Sequence, residues 1–149
     1  MSTKIKIIAN NKKARHDFFI DDVYEAGLIL QGTEVKSLRL GKCSIKEAYV
    51  LIRNDEAWLM GATISHYSHG NRQNHEEQRS RKLLLHKKEI KKIEMEVKIK
   101  RVSVIPTKIY FKRGLIKIEI GLGKGKKKYD KRQDEAKKSA EKKIRQGDY

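Results

Sequence analysis

The stretch "VSVIPTKIYFKRGLIKIEIGLG" (residues 102–123) decides the fold, because apolar and polar residues alternate in it on both sides of a turn at 112–114. Alternation with a period of two is typical of half-buried β-strands, so this stretch predicts a hairpin. Pro106 lies in the first run. Since proline donates no hydrogen bond to a strand ladder, we expect it at a sheet edge or at a bulge.

The segments on the N-terminal side extend the β pattern. Residues 48–64 hold two apolar runs around Asn54 and Asp55, which tolerate turn conformations, and they predict a second hairpin. Residues 16–30, "HDFFIDDVYEAGLIL", are rich in aromatic and β-branched residues and predict strands with a bend at Gly27. Residues 1–15 are predicted to form a basic N-terminal arm with room for one edge strand.

Two segments predict helices instead. Thr33 is a plausible N-cap and Gly41 a natural stop for a helix of about two turns. Ile90, Ile93 and Val97 follow helical spacing in a longer helix. The polar stretch 65–81 predicts a long loop. The pattern as a whole predicts a mainly β protein, an OB-like small barrel over residues 16–123 with two or three inserted helices.

The C-terminal stretch differs in composition. "KGKKKYDKRQDEAKKSAEKK" (residues 124–143) contains no Val, Leu, Ile, Phe, Met or Trp. It cannot offset the entropy of ordering its backbone, so residues 124–149 predict a flexible basic tail, joined through a glycine-rich hinge at 121–125 and helical only against a partner. The net charge of +17 favours a polyanionic partner, with nucleic-acid phosphates the leading candidate.

The chemical motifs of several other classes are incomplete. Cys43 is the single cysteine, so no intrachain disulfide is expected, and it lacks the context of a catalytic thiol. His66, His69 and His75 lack a cysteine or carboxylate to complete a metal site, so no metal is expected. The "GLGKG" run has neither phosphate-loop spacing, so no cofactor is expected. No signal peptide or membrane-spanning run is found, which favours a cytoplasmic protein.

Three separate segments, residues 10–42, 79–90 and 121–132, closely resemble the bacterial family of small protein B, the SsrA (tmRNA)-binding proteins of trans-translation. The resemblance implies an OB-type barrel and a non-enzymatic adaptor. Such an adaptor binds the tRNA-like domain of tmRNA and delivers it to ribosomes stalled on truncated messages. The resemblance also implies elongation factor Tu and alanyl-tRNA synthetase as partners, with the tail helical in the decoding centre and the empty mRNA channel.

The resemblance also implies particular site residues. The RNA-binding candidates are Asn11, His16, Glu25, Glu34, Lys36, Arg39, Arg79, Arg81, Lys82, Leu84, His86 and Lys117. The tail residues that match the decoding-centre portion are Gly125, Lys126, Lys127, Lys128, Tyr129, Asp130, Lys131 and Arg132.

Three positions depart from the family pattern. Tyr129 replaces a common His, Phe18 replaces a common Tyr, and Glu76–Glu77 replace a Pro-containing turn, so we expect a more mobile loop there. Two other functions stay open. A ribosomal or ribosome-assembly protein would share the charge and the tail. An RNA-processing enzyme would need an acid–base or metal site, which the sequence does not supply.

Overall fold

The structure, a computed structural model, describes residues 4–69, 74–126 and 132. The strands and helices follow one another as β1 (Ile5–Asn10), α1 (Lys12–Asp17), β2 (Phe18–Leu28), α2 (Gly32–Arg39), β3 (Cys43–Ser44), β4 (Tyr49–Arg53), β5 (Glu56–Met60), β6 (Thr63–Ile64), β7 (Arg81–Leu84), α3 (Lys87–Lys100), β8 (Ser103–Lys112) and β9 (Leu115–Gly125).

Both predicted hairpins are confirmed. β4 pairs with β5 and β8 with β9, each in antiparallel register. The turn residues Asn54 and Asp55 have φ of 52° and 59°, and Arg113 and Gly114 have φ of 54° and 75°. Positive φ at both central positions is the conformation that matches the twist of a two-residue hairpin. The predicted edge strand is also confirmed, because β1 pairs with β8 at one end of the sheet.

The main sheet has seven strands in the order β1-β8-β9-β2-β7-β5-β4, and β3 pairs separately with β6. The mainly β prediction is therefore confirmed. Among the described residues the hydrogen-bonded sheet ends at β1 and β4, so strand pairing does not close it into a barrel. β4 does approach β8, without a ladder between them.

Local features of the strands follow from single residues. The register of β8 and β9 shifts between Pro106 and Lys108, so the predicted bulge at the proline is confirmed. Gly27 is the residue at which β2 passes from β9 to β7, pairing with Lys117 on one side and Leu84 on the other. A Cβ at Gly27 would lie 3.3 Å from the Leu84 Cβ, so the glycine permits this close approach.

The helix predictions are confirmed for α2 and α3, with one correction. Ile90 and Ile93 of α3 are buried. The N-cap of α2 is Gln31 rather than Thr33, because the Glu34 carboxylate accepts from the Gln31 N–H at 2.8 Å. The six-residue helix α1 was not predicted, since it is too short to produce a helical period of apolar residues.

The predicted hinge at 121–125 is wrong, because these residues belong to β9 and pair with β2 as far as Phe18 opposite Gly125. Close packing explains the glycines. A Cβ at Gly121 would lie 2.5 Å from the Ile20 Cγ2, and one at Gly123 would lie 3.0 Å from the Phe18 Cβ. The order therefore extends beyond the predicted boundary at residue 123.

The core joins the main sheet to α3 through a cluster of buried aliphatic side chains, among them Ile109, Ile118 and Ile120 of the sheet and Ile93 of the helix. The tail prediction for residues 127–131 and 133–149 falls outside the described residues. Within the described part of the chain, no helix has the length and apolar character needed to cross a membrane.

Candidate nucleic-acid interface

An open groove of about 890 Å³ lies where β2, β7 and β9 meet the start of α3. Five of the predicted RNA-binding residues line it: Glu25, Lys82, Leu84, His86 and Lys117. They are separated by up to 92 positions in the chain (117 minus 25), and the register of three strands brings them together. The structure thus shows that these five residues, which were predicted one by one, line a single concave surface.

The N-terminus of α3 forms one wall of this groove. His86 is the N-cap of α3, and its backbone N–H donates to the Glu89 carboxylate at 3.1 Å. That bond fixes the backbone from which the exposed imidazole projects. Leu84 is 53% exposed although it ends a strand, and an exposed leucine at a groove is an apolar surface available to a ligand.

Glu25 is one of four acidic residues that line the groove, with Asp55, Glu56 and Glu89. Its carboxylate accepts from the Tyr110 hydroxyl and from the Lys112 ammonium at 3.1 Å. The Tyr110 hydrogen bond, followed in importance by Lys112, lowers the pKa of Glu25 below its usual value despite partial burial. The carboxylate is therefore ionised at neutral pH, and it can accept hydrogen bonds from a ligand but not donate them.

The charges of the groove are mixed. Lys117 and Lys82 supply cations, and Lys82 also lies 3.5 Å from the Glu56 carboxylate. Lysine ammonium groups bind phosphate as point charges, whereas a carboxylate repels phosphate and accepts from base amino groups or hydroxyls. The groove therefore offers separate partners for the backbone and for the base edges of a nucleic acid.

Two further candidates, Glu34 and Arg81, lie in the interior, each with 0% of its surface exposed. Glu34 accepts from Arg81 Nε at 2.5 Å and from Arg79 Nη2 at 2.5 Å. Burial alone would raise the pKa of Glu34, but the hydrogen bonds from Arg79, from the Gln31 backbone and from Arg81 lower it. Both side chains are enclosed by the protein, and their part in RNA binding stays a prediction.

Arg81 uses its guanidinium to tie down the loop that precedes it. Nη1 donates to the Ala62 carbonyl at 3.0 Å, and Nη2 donates to the carbonyls of Glu77 at 3.0 Å and Glu76 at 3.3 Å. A planar guanidinium is suited to several simultaneous bonds of this kind. The mobile turn expected at Glu76 and Glu77 is instead bound to a buried cation.

Asn11 is also an interior residue, only 5% exposed. Its amide nitrogen donates to the carbonyls of Ile45 at 3.1 Å and Pro106 at 2.9 Å, and its oxygen accepts from the Ala14 N–H at 3.1 Å. Like Glu34 and Arg81, Asn11 is enclosed, and its part in RNA binding stays a prediction. Its amide caps α1 and joins that helix to two other parts of the chain.

The remaining candidates lie outside the groove lining. Lys36 and Arg39 are exposed on α2, and the Lys36 ammonium lies 5.3 Å from the centre of the Tyr67 ring. Arg79 is half-buried beside Glu34, and His16 lies 3.0 Å from the Asp17 carboxylate.

Few of the tail candidates are described. Gly125 is the last residue of β9. The Lys126 N–H donates to the Asp17 carbonyl at 2.8 Å, and its ammonium lies 4.9 Å from the centre of the Phe19 ring. Arg132 is exposed. Lys127, Lys128, Tyr129, Asp130 and Lys131 fall outside the described residues.

Sequence reasoning missed the two residues that hold Glu25 in place. Tyr110 and Lys112 lie on β8, two strands away from β2, and β9 separates them. No sequence signal pairs Tyr110 with Glu25, because the contact depends on a strand register that periodicity does not define.

Other site chemistries receive no support from the described residues. Burial raises the pKa of the Cys43 thiol to about 11, which disfavours the reactive thiolate. Both ring nitrogens of His75 already have partners, Thr33 Oγ1 at 2.8 Å and the Ile64 carbonyl at 2.8 Å. Within residues 4–69, 74–126 and 132, no three His, Cys, Asp or Glu side chains are grouped closely enough to hold a metal ion.

The fold and the groove define a class of protein, namely a small, strongly basic antiparallel β protein whose concave surface combines cations, a carboxylate and an exposed leucine. Comparison with known proteins narrows this class. The family model described as "SmpB protein" matches residues 8–147. The chain therefore belongs to the SmpB protein family.

Relatives and a solved structure agree with this assignment. The SsrA-binding protein of Halothermothrix orenii is 55% identical over 95% of this chain and 91% of its own length. That of Geobacter sulfurreducens is 53% identical over 95% of this chain and 92% of its own length. A chain from the solved structure described as "tmRNA-SmpB: a journey to the center of the bacterial ribosome" is 42% identical. It superposes with a TM-score of 0.68 over 80% of this chain and 85% of that one.

Proposed function

We propose that this protein is an RNA-binding adaptor that binds the tRNA-like domain of tmRNA and delivers it to stalled ribosomes for trans-translation. The observation that carries the proposal is the family match over residues 8–147 together with the groove. Relatives named SsrA-binding protein and a neighbour described with tmRNA and the ribosome support it. The role is binding and delivery, so we propose no catalytic step.

The groove is the proposed contact surface for the tRNA-like RNA. Lys117 and Lys82 would bind phosphates, and His86 and Leu84 would pack against an unstacked base or a sugar, as RNA shape recognition requires. Glu25 would accept from a base amino group or a 2′-hydroxyl. A carboxylate among lysines discriminates against plain phosphate contacts, and its hydrogen bond to a base adds affinity for the matching RNA, so it contributes to specificity and to affinity.

The buried candidates are proposed to act through their neighbours. The Glu34 carboxylate positions Arg79 by accepting a hydrogen bond from it. The Arg81 guanidinium holds the 76–77 turn, which precedes β7 in the chain. Asn11 positions α1, the helix that bears His16. Each of these side chains fixes a segment whose exposed residues would face RNA.

The tail and the remaining partners are also proposals. Residues 124–149 would occupy the decoding centre and the empty mRNA channel, with Gly125 to Arg132 at the decoding centre. Elongation factor Tu and alanyl-tRNA synthetase would join through the tmRNA complex, in the cytoplasm. We further propose that the approach of β4 to β8 gives the sheet an OB-like barrel form.

Binding of a folded tRNA-like RNA, measured across a salt series against duplex DNA of equal length, tests the proposal. We expect tighter binding to the RNA at every salt concentration. The Lys117→Gln variant should bind more weakly, with a salt slope smaller by about one. Lys6→Gln is the matched control, because Lys6 is an exposed lysine on the edge strand β1. Equal affinity for RNA and DNA would contradict the proposal.

Deletion of residues 130–149 tests the division of labour between groove and tail. We expect binding to isolated tRNA-like RNA to stay within about twofold of the full chain, while tagging on stalled ribosomes is lost. Loss of free-RNA binding on deletion would contradict the assignment of RNA recognition to the groove. Tight binding to ribosomal RNA with no preference for the tRNA-like RNA would favour a ribosomal or ribosome-assembly protein instead.

A further inference from the structure

A cluster of aromatic rings lies outside the groove, on the segment that follows β6. His66 and His69 are exposed and Tyr67 is half-buried. The Tyr67 and His69 rings meet edge to face, with centroids 5.4 Å apart. His66 packs in the same manner on His75, at 5.7 Å. We call His66, Tyr67 and His69 the aromatic cluster.

The aromatic cluster is held in place by its neighbours. The Asn74 side chain accepts from the Tyr67 N–H at 3.0 Å and donates to the Tyr67 carbonyl at 2.7 Å, so one amide fixes both backbone groups. The buried His75 anchors the other end through the Ile64 carbonyl. Such anchoring lowers the entropy cost of ordering the segment that bears the rings when a ligand binds.

A cation on α2 lies beside these rings. The Ser37 hydroxyl donates to the Ser65 carbonyl at 2.7 Å, which fastens α2 to the start of the segment. Lys36 and Arg39 are exposed on this helix, and the Lys36 ammonium lies over the Tyr67 ring at 5.3 Å. The rings therefore have fixed positions and a positive charge within reach.

We propose that the aromatic cluster and the α2 cations form a second RNA site, which binds an unpaired nucleotide. The base stacks on the face of the Tyr67 ring, and His69, whose ring stands at 71° to that of Tyr67, contacts the edge of the base. Lys36 and Arg39 take the adjacent phosphates. This inference rests on the proposed RNA-binding function and adds to it a contact separate from the groove. Aromatic rings beside lysine and arginine are the arrangement by which proteins bind single-stranded nucleic acid without reading its sequence.

The existing contact between Lys36 and Tyr67 does not block the site. An exposed cation–π contact is weaker than base stacking, so an incoming base displaces the ammonium from the ring. The displaced lysine then reaches the phosphate next to the stacked base. Lys36 thus occupies the ring in the free protein and the backbone in the complex.

The 76–77 turn lies in the chain between the aromatic cluster and β7, and it is bonded to the body. Arg81, which begins β7, donates to the Glu77 carbonyl, and Leu84, which lines the groove, ends the same strand. A structured RNA that contacted both sites would bind bivalently, and a short oligonucleotide would use the aromatic cluster alone.

A short single-stranded RNA with one 2-aminopurine tests the inference in the full-length protein, since the fluorescence of this base is quenched on stacking. We expect quenching with the unaltered protein and about tenfold weaker binding with Tyr67→Leu. His69→Ala, at an exposed position that does not threaten folding, should weaken binding in the same direction. Tyr49→Leu is the matched control, because Tyr49 is 49% exposed on the edge strand β4.

Three outcomes would overturn the inference. The first is equal binding by the Tyr67→Leu and Tyr49→Leu proteins. The second is an abasic oligonucleotide that binds as tightly as the one with the base. In the third, His69→Ala and Tyr67→Leu leave the oligonucleotide unaffected, while Lys117→Gln still weakens binding of the tRNA-like RNA; the second site then fails and the groove stands. Failure of Lys117→Gln in that same experiment would count against the groove instead.

Discussion

Glu25 and Glu34 are two glutamates in a strongly basic protein, and each is held by two donors from distant parts of the chain. Glu25 has 38% of its side chain exposed, with Tyr110 and Lys112 as its partners. Glu34 has none of its side chain exposed and accepts from Arg79 and Arg81. In both cases hydrogen bonds outweigh partial or full burial and lower the pKa of the carboxylate.

The two carboxylates differ in whether a ligand can reach their oxygen atoms. Glu25 faces an open groove and keeps lone pairs available for a ligand. Glu34 is enclosed, so its charge holds two guanidinium groups and the Gln31 N–H at the start of α2. Burial therefore separates two residues of one set of motifs into an exposed carboxylate that a ligand can reach and an enclosed one that it cannot.

The largest expected effect is on stability. Glu34→Ala should lower the free energy of unfolding by about 3–5 kcal/mol, because removing one partner leaves the buried Arg81 charge uncompensated. Denaturant unfolding measures it. Glu47→Gln, which removes an exposed partner of Lys13, is the control and should leave stability unchanged. A change as small as that of the control would contradict the assignment of Glu34 to the interior.

Arg81→Lys should have the next largest effect. Lysine keeps the charge, but it cannot serve Glu34 and the carbonyls of Ala62 and Glu77 at once. We expect a loss of about 1–3 kcal/mol from polar groups left without partners. Amide hydrogen exchange should show the loss concentrated at the 76–77 turn. A uniform loss across the sheet would mean that Arg81 does not act through this turn.

Glu25→Gln should affect RNA affinity more than stability, the opposite of what is expected for the two interior substitutions. Because Glu25 is partly exposed, stability should change by less than about 1 kcal/mol. Affinity for the tRNA-like RNA should fall by about tenfold, as expected for one good base contact. Thermal unfolding and RNA titration of the same sample separate the two effects. Unchanged affinity with reduced stability would assign Glu25 to the structural class with Glu34.

The smallest expected effect is on the pH dependence of stability, which should respond to salt differently for Glu25 and for Glu34. The folded-state pKa of Glu34 is lowered from about 4.5, so its stabilisation is fully present above that pH and is lost as the pH falls through the lower folded-state value. At 1 M salt, where the screening length is about 3 Å, the acid sensitivity due to buried Glu34 should persist and that due to exposed Glu25 should shrink. Unfolding curves of Glu34→Gln and Glu25→Gln at two salt concentrations provide the measurement.

The sequence predicted the strands and hairpins well because their signals are local. Alternation around residues 112–114 and the turn-forming pair Asn54 and Asp55 both depend on neighbours in the chain. The short helix α1 and the true N-cap of α2 were missed for the opposite reason. α1 has too few turns to show a period, and Gln31 is an N-cap only because Glu34 reaches back to it.

The sequence supplied candidate site residues, but it could not show which of them are exposed or which lie next to one another. Family resemblance selected both Glu25 and Glu34, and nothing in the sequence distinguishes the exposed glutamate from the buried one. That distinction comes from strand order, which places Tyr110 beside Glu25 and Arg81 beneath α2. The glycines of 121–125 were read as a hinge, since the need for small residues against Ile20 and Phe18 is a property of packing.

The end of β9 fixes the point at which the C-terminal segment leaves the folded body. Gly125 is paired to Phe18, and the Lys126 backbone is bonded to Asp17, so the point from which the C-terminal segment departs has fixed coordinates relative to the groove. The reach of the C-terminal segment from this point then has an upper limit that depends on its number of residues. Each residue inserted after Lys126 would lengthen that reach by at most about 3.3–3.6 Å.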